Sequence, residues 1–388
     1  MHSGQPRRLL AEHKADILAA NKLDVDACPP DDGVILDRLK VSEEKVDAMI
    51  ASVRSVQELP DVVGQVISSH VREDGLRIEN RRVPFGTILI IYEARPDVSI
   101  EAAIIALKAG NKILLKGGKE ARNTNLCLAR LWQLALKEND ADVETVQYLD
   151  LSREETQSLI RGEYEKFDLV IPRGGEALID FVLRYSTVPV IVSGRGNNFL
   201  YIDSEADFDM AIKIAVNGKQ RLSVCNTLDK ILINADLPDL DAKALLLIAA
   251  LREQDIEIVG DEEIVDIYPT VTPIPDEDIW YDEFLSAKMV IGVVASTEEA
   301  IETINEYSGG HSAAIVTANS ETADQFLNEV DCAAVYHNAS TRFTDGGQLG
   351  LGAEIAISTQ KLHFRGPLGA EHLLTNKWFV YGDGQVRK

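Results

Sequence analysis

Short apolar runs alternate with amphipathic segments along most of this chain, and no other feature constrains its fold as strongly. Between residues 85 and 203 the runs that predict strands are TILIIYE, KILLK, VQYLD, DLVIP, VPVIV and FLYID. A second alternating stretch starts near Asp207 and ends with the strand candidate CAAVYHN. Strands separated by helices pair in parallel, and the helices cover both faces of the sheet. The sequence therefore predicts an α/β fold built on parallel sheets.

The length of 388 residues suits two domains better than one core. We place the first domain at residues 1–203, the second at 204–337, and a glycine-rich connection with a final strand at 338–388. The first 60 residues are predicted to be helical, with a break at Pro29-Pro30.

Residues 66–84 interrupt the α/β pattern with two alternating segments around Asp74-Gly75, which predict a β-hairpin. The C-terminal segment NKWFVYGDGQVRK also predicts a strand. Because an isolated hairpin is only marginally stable in water, we expect this last strand to pair with the hairpin or with another subunit.

Acidic residues outnumber basic ones by 63 to 39, which gives a formal net charge of −24. Such a surface repels phosphate backbones and anionic lipid, so neither nucleic acid nor membrane is an expected partner. No apolar run approaches the roughly 18 residues that span a bilayer, and the N-terminus lacks the apolar segment of a secretory signal. The four cysteines are far apart in the sequence: Cys28, Cys127, Cys225 and Cys332. Their spacing predicts neither a metal site nor a disulfide framework, and a reducing cytoplasm is the expected location.

Cys225 lies in NGKQRLSVCNTLDKILIN, a polar loop between the end of a helix and a buried strand. Lys219 and Arg221 are close in sequence, and a nearby cation shifts a thiol toward the reactive thiolate. A lone cysteine is more often a small core residue, and this interpretation suits Cys127 and Cys332 better. Spacing alone leaves both roles open for Cys225.

Two segments predict a strand, a glycine turn and a helix in succession. LLKGGKEARNTN places Lys116 at the carboxyl end of its strand, where open α/β sheets bind ligands. DLVIPRGGEALIDF repeats the arrangement, and the free N–H groups of its helix, with Arg173, are a candidate phosphate site. The glycines alternatively serve only to make the turns.

Residues 338–369 form a long glycine-rich stretch with little periodicity, of the kind that is often functional. Its charged side chains are candidates to bind an anionic, amine-bearing substrate: Arg342, Asp345, His363 and Arg365. A plain connection between domains is the alternative.

Eight segments in this order resemble glutamate-5-semialdehyde dehydrogenase (gamma-glutamyl phosphate reductase), a branch of the aldehyde dehydrogenase superfamily. They are ADILAANKLD, VPFGTILIIYEARPDV, ALKAGNKILLKGGKEA, VIPRGG, SVCNTLDKIL, NASTRFTDGG, LGLGAEIAISTQKLHFRGPLG and TNKWFVYGDGQVR. The resemblance runs from about residue 8 to the C-terminus. It implies an aldehyde dehydrogenase-like fold with two α/β domains and a small β oligomerisation element.

The resemblance also implies roles for individual residues. Cys225 would be the nucleophile, Lys116 would reach the adenosine ribose or its 2′-phosphate, and Glu283 would hold the nicotinamide ribose. The turn along the pyrophosphate would be Pro172, Arg173, Gly174 and Gly175. Arg221 and Arg342 are candidates for phosphate or carboxylate contacts. Residues 1–203 would bind NADPH, and the hairpin with the last strand would join a homodimer or homotetramer.

The implied reaction is the NADPH-dependent reduction of L-glutamyl 5-phosphate through a Cys225 thioester, the second step of proline biosynthesis. Because this acyl phosphate is labile, the glutamate kinase that makes it is an expected partner. Asn198 and Phe199 stand where the family commonly has a Cys-His pair, and His337 or His363 are candidate replacements for that histidine. The alternatives are another acyl-phosphate reductase, an aldehyde dehydrogenase, or a weakly active partner of the kinase.

Overall fold

The structure is a computed structural model that describes residues 4–29 and 33–387, and it divides into two compact units. Unit 1 contains the chain up to Val192, Gly350–Ala356 and the stretch from Pro367 onward. Unit 2 contains Ser193–Leu349 and Ile357–Gly366. No helix within the described ranges is long and apolar enough to cross a membrane.

The N-terminal part of unit 1 is helical, as the sequence predicts. Its helices are α1 (Gln5–Glu12), α2 (Lys14–Ala27), α3 (Gly33–Leu39) and α4 (Glu43–Glu58). The apolar face of α4 is buried through Val46, Met49 and Val53, at the spacing of an amphipathic helix. The predicted break at Pro29-Pro30 falls partly on residues 30–32, which lie outside the described residues.

Hairpin 66–84 is confirmed, and the last strand pairs with it. Strand β1 (Val66–Val71) pairs antiparallel with β2 (Arg77–Pro84). The C-terminal strand β16 (Leu374–Tyr381) pairs antiparallel with the other edge of β2, with Val380 opposite Ile78. These three strands form a separate sheet in unit 1.

The main sheet of unit 1 is parallel, in the order β5-β4-β3-β6. Its strands are β3 (Thr87–Tyr92), β4 (Lys112–Gly117), β5 (Val146–Tyr148) and β6 (Leu169–Arg173). The helices between and after them are α5 (Val98–Lys108), α6 (Arg122–Glu138), α7 (Arg153–Ile160) and α8 (Glu176–Tyr185). The strand predicted at VPVIV is wrong: this segment forms only an isolated bridge between Val190 and Val170.

Unit 2 is built on a seven-stranded parallel sheet in the order β10-β9-β11-β8-β7-β12-β13. Its strands are β7 (Asn198–Ile202), β8 (Leu228–Asn234), β9 (Glu257–Gly260), β10 (Thr272–Pro273), β11 (Lys288–Val294), β12 (Ser312–Val316) and β13 (Ala334–His337). Its helices are α9 (Phe208–Gly218), α10 (Leu240–Arg252), α11 (Glu262–Ile267), α12 (Thr297–Tyr307) and α13 (Ser320–Glu329). Two short strands, β14 (Ile357–Ser358) and β15 (Gly366–Pro367), lie where the chain passes from one unit to the other.

The expected domain boundary at residues 203 and 204 differs from the boundary in the structure, which follows Val192. Residues 198–202 do form the predicted strand, but it pairs with β8 and β12 in the sheet of unit 2. An apolar run is compatible with a place in either sheet, so its partners are decided by pairing between residues far apart in sequence.

Candidate active site

Cys225 lies in the loop between α9 and β8 and is half-buried. The Asn198 amide donates hydrogen bonds from Nδ2 to the carbonyl oxygens of Cys225, at 2.7 Å, and Thr227, at 2.6 Å. Gly196 is in equally close contact, because a Cβ atom there would lie only 1.6 Å from the Cys225 carbonyl oxygen. Gly196 and Asn198, at the start of β7, therefore hold the backbone of the cysteine from one side.

The two residues after Cys225 hold the loop from the other side. Asn226 Nδ2 donates to the carbonyl oxygens of Thr344, at 3.0 Å, and Arg342, at 3.2 Å. The Thr227 hydroxyl lies 2.6 Å from the Arg221 carbonyl oxygen, to which it donates. The Cys225 thiol therefore lies on a loop whose shape is held by the side chains of the next two residues, Asn226 and Thr227.

Positive charge gathers beside this thiol. The pKa of Arg342 is lowered, first by burial and then by the charge of Arg221, while electrostatic interactions with Asp345 and Cys225 oppose the shift. The Arg342 guanidinium also donates to Asn226 Oδ1. The structure therefore brings together four residues that the sequence predicts for the site, and cations beside a sulfur atom favour its thiolate form.

Glu283 also lies at this site. Its Oε1 accepts a hydrogen bond from the Gly196 N–H at 3.0 Å, and Gly196 is the residue in contact with Cys225. Gly196 was not predicted as a functional residue. The sequence shows only a glycine before a buried strand at this position, which does not by itself indicate a functional residue.

The other predicted substrate residues have different surroundings. The Arg365 guanidinium donates to Asp331 Oδ1 at 2.7 Å and to the Asp331 carbonyl oxygen at 2.8 Å. His363 is exposed, with its ring edge-on to Phe364 at a centroid distance of 4.1 Å. His337, at the end of β13, has Nε2 at 3.0 Å from the Thr317 carbonyl oxygen. Phe199, at the position of the family's histidine, is fully buried and stacks on Trp280.

Lys219 differs from its expected role as a cation beside the thiol. Its side chain is fully buried in an ion pair with Asp229, and burial lowers its pKa. The Asp229 carboxylate therefore balances its charge, and Arg221 and Arg342 are the cations that interact with the site.

In unit 1 the predicted cofactor residues lie at the carboxyl ends of β4 and β6, on either side of β3. Lys116 and Pro172 both pair with Ile91, in the same row of the sheet. The chain runs from β3 to β4 and β5 on one side and then to β6 on the other, and ligands bind at such a reversal of strand order. Burial lowers the pKa of Lys116, whose Nζ donates to the Gly117 carbonyl oxygen at 2.6 Å.

Glu93, which the sequence did not predict, lies at the predicted phosphate turn. Its Oε2 accepts the Gly175 N–H at 2.9 Å, and a Cβ atom on Gly174 would lie 2.6 Å from its Cδ. A carboxylate here repels phosphate, but it is a good acceptor for ribose hydroxyl groups. This end of the sheet therefore offers an acceptor for hydroxyl groups in Glu93 and cations suited to phosphate in Lys116 and Arg173.

Comparison with known proteins agrees with this architecture. The family model described as "Aldehyde dehydrogenase family" matches residues 36–255 and 257–352. A gamma-glutamyl phosphate reductase of Clostridium beijerinckii is 43% identical over 382 residues, which cover 97% of this chain and 91% of that protein. The crystal structure of the gamma-glutamyl phosphate reductase from Thermotoga maritima has a TM-score of 0.91 and 42% identity, covering 99% of this chain and 93% of that one. An acetylating aldehyde dehydrogenase from Geobacillus thermoglucosidasius, with a TM-score of 0.71 and 16% identity, shares the fold.

Proposed function

This chain belongs to the aldehyde dehydrogenase family, and we propose that it reduces L-glutamyl 5-phosphate to L-glutamate 5-semialdehyde and phosphate, the second step of proline biosynthesis from glutamate. The observation that carries the proposal is the Cys225 thiol on a restrained loop, with Arg221 and Arg342 interacting beside it. The relatives named gamma-glutamyl phosphate reductase, which match over nearly the whole chain, support the same reaction.

The first half of the reaction follows from these residues. The Cys225 thiolate attacks the acyl carbon, the bond from that carbon to the phosphate oxygen breaks, and phosphate leaves with the electron pair. Phosphate is a good leaving group and needs no base-activated water. Arg221 and Arg342 supply the positive charge that attracts it, and the Cys225 N–H is a candidate donor to the developing charge on the acyl oxygen.

The second half requires a nicotinamide cofactor, which supplies a hydride to the acyl carbon when it is bound. Within unit 2 we assign Glu283 to the nicotinamide ribose, supported by its hydrogen bond with Gly196. Within unit 1 we assign Lys116 and the turn Pro172, Arg173, Gly174 and Gly175 to the adenosine and pyrophosphate groups, supported by their place at the carboxyl ends of β4 and β6. When the acyl group has reached the aldehyde level, its bond to sulfur breaks and Cys225 leaves as a thiolate. The nucleophile is thereby regenerated.

The test of this function is a coupled assay. NADPH oxidation is expected when glutamate, ATP and a glutamate kinase are supplied together, and not when the kinase is omitted. In reverse, NADP reduction by the semialdehyde is expected only when phosphate is present, because phosphate must release the acyl group from sulfur. Reduction without phosphate would instead identify an ordinary aldehyde dehydrogenase.

The preference for NADPH is assigned to Lys116, a half-buried cation at the end of β4 that interacts with Asp150 and Glu120. We expect Lys116→Ala to raise KM for NADPH about tenfold more than KM for NADH, because only NADPH carries the 2′-phosphate. Lys119→Ala, at an exposed lysine three residues later, is the matched control. Equal effects on both cofactors would contradict this role.

Arg342 is assigned to phosphate. Arg342→Met is expected to raise KM for phosphate in the reverse reaction by about ten- to a hundredfold, since a charge-assisted contact is lost. Arg365→Met is the comparison, because that guanidinium is paired with Asp331. A larger effect of Arg365→Met on this KM would reverse the assignment.

The three-stranded sheet of unit 1 is assigned to a homo-oligomer, a dimer or tetramer. Strand β1 is an edge strand that is exposed along its whole length, and its apolar side chains Val66, Ile67 and Val71 are each more than half exposed. Exposed apolar edges favour pairing with another chain. We further assign the protein to the cytoplasm. We also infer that it associates with the glutamate kinase that makes its labile substrate.

A further inference from the structure

A buried group of charges lies at the two ends of the loop of Cys225, on Lys219 after α9 and on Asp229 and Lys230 of β8, and the reaction proposed above does not use it. Lys230, on β8, is fully buried, and so is the ion pair of Lys219 with Asp229 next to it. Two ammonium groups are therefore held away from water, and the Asp229 carboxylate is paired with that of Lys219. Burying charge is costly unless the charge makes specific contacts, so the contacts of Lys230 indicate what it does.

Among the described residues, the contacts of the Lys230 ammonium lead to two segments. Its Nζ donates to Asn197 Oδ1 at 2.9 Å and to the Asp282 carbonyl oxygen at 2.7 Å. It also lies 3.9 Å from the centroid of the Phe284 ring, a favourable position for a desolvated cation. Lys230 thus joins the segment before β7 to the segment that carries Glu283.

The bonds of this buried group surround Glu283. The carbonyl oxygen of Asp282, the residue before it, accepts from Lys230, and the N–H of Phe284, the residue after it, donates to Asp229 Oδ2 at 2.9 Å. Asn197 Nδ2 donates to the Trp280 carbonyl oxygen at 2.6 Å. The backbone on both sides of Glu283 is therefore fixed, while the carboxylate itself meets Gly196.

We propose that Lys230 is a positioning residue for cofactor binding: its buried ammonium holds the segment around Glu283 so that the carboxylate faces the nicotinamide ribose. The inference rests on the proposed function, because Glu283 has this role only if a nicotinamide cofactor binds. Because Lys230 is fully buried, it acts on the cofactor through the segment of Glu283 and not through a contact of its own.

The proposal has a consequence for pH. Burial lowers the pKa of Lys230 from 10.5 to about 7, with Asp229 and Asp282 opposing the shift and Lys219 and Lys288 adding to it. Below this pKa the ammonium is charged and its contacts are strongest. As pH rises through about 7 the charge is lost, so cofactor affinity is expected to fall with rising pH.

The experiment uses the full chain with the substitutions Lys230→Met and Lys230→Gln, and Lys288→Met as the matched control. Lys288 also faces the Phe284 ring, at 5.0 Å, but lies on β11. NADPH binding is measured by its fluorescence between about pH 6 and about pH 8.5. Lys230→Met is expected to raise Kd about tenfold at the lower pH and to remove the pH dependence. Lys230→Gln, which keeps a donor, is expected to lose less affinity. Lys288→Met is expected to match the wild-type affinity at the lower pH and to lose affinity at a higher pH than the wild type, because one of the charges that lower the pKa of Lys230 is removed.

Hydrogen exchange gives a readout that does not depend on cofactor. Faster exchange at residues 281–286 in Lys230→Met, with the melting temperature and Cys225 alkylation retained, supports the positioning role. Unchanged exchange overturns it, and so does wild-type NADPH affinity in Lys230→Met, even if that variant folds poorly in other respects. A wild type that binds NADPH but shows no phosphate-dependent reaction refutes the proposed function and leaves this inference standing, whereas no binding of any nicotinamide cofactor refutes both.

Discussion

Cys225→Ser is expected to lower turnover of the acyl phosphate by on the order of 10³-fold or more. A serine hydroxyl is hardly ionised at neutral pH, and the arginines beside residue 225 stabilise a thiolate but cannot make an alkoxide. The oxygen ester that a serine would form is also a poorer hydride acceptor than a thioester. Formation of the acyl-enzyme and hydride transfer to it are therefore both slowed.

Cys127→Ser is the control, because burial raises the pKa of the Cys127 thiol and makes it a weak nucleophile. Burial likewise raises the pKa of Cys332, to about 11. The coupled assay measures turnover, and iodoacetamide labelling followed by mass spectrometry should modify Cys225 first. Near-normal turnover in Cys225→Ser would refute the covalent mechanism.

Gly196→Ala is expected to have the second largest effect. The added Cβ would lie 1.6 Å from the Cys225 carbonyl oxygen and 2.5 Å from its Cα, so the backbone of the nucleophile must move. A displacement of about 1 Å in a catalytic group costs about 10²-fold in rate, and overpacking against backbone costs about 3 kcal/mol of stability. Alanine keeps the backbone N–H that donates to Glu283, but a shift of residue 196 would also displace this hydrogen bond.

The matched control is Gly33→Ala, where a Cβ meets nothing within 4 Å. Thermal unfolding and the rate of Cys225 alkylation are measured for both variants. Gly196→Ala should be less stable and should alkylate at a different rate, while Gly33→Ala should match the wild type. Wild-type turnover in Gly196→Ala would show that the loop and β7 are not in close contact.

Asn198 shows how a departure from the family pattern can be interpreted only in three dimensions. In sequence it is an unexpected residue beside Phe199. In the structure its Nδ2 meets the carbonyl oxygens of Gly196, Cys225 and Thr227, which belong to two separate segments. Asn198 therefore holds the cysteine loop in place, and Phe199 is part of the hydrophobic core. Neither side chain is a general acid or base, and the His337 ring has Nε2 at 3.0 Å from the Thr317 carbonyl oxygen.

The sequence by itself determined most of the secondary structure, and its resemblance to a known family predicted Cys225 as the nucleophile. Apolar periodicity is a local property, so hairpin 66–84 and most of the strands and helices follow from it, although the strand predicted at VPVIV does not form. The motif around Cys225 distinguishes this cysteine from Cys127 and Cys332 because its neighbours Asn226 and Thr227 are the side chains that shape the loop.

Only the tertiary structure decided that residues 198–202 join the sheet of unit 2. It also brought Gly196 and Glu283 together at Cys225, and it made Arg342, rather than Lys219, the cation that interacts with the thiol. Each of these depends on hydrogen bonds and charges between segments far apart in the chain, and periodicity holds no information on such pairs. Lys219 and Lys230 appear in sequence as ordinary cations. Burial turns the first into the partner of Asp229 and the second into the residue that holds the segment of Glu283, because a charge without water must find its partners within the fold.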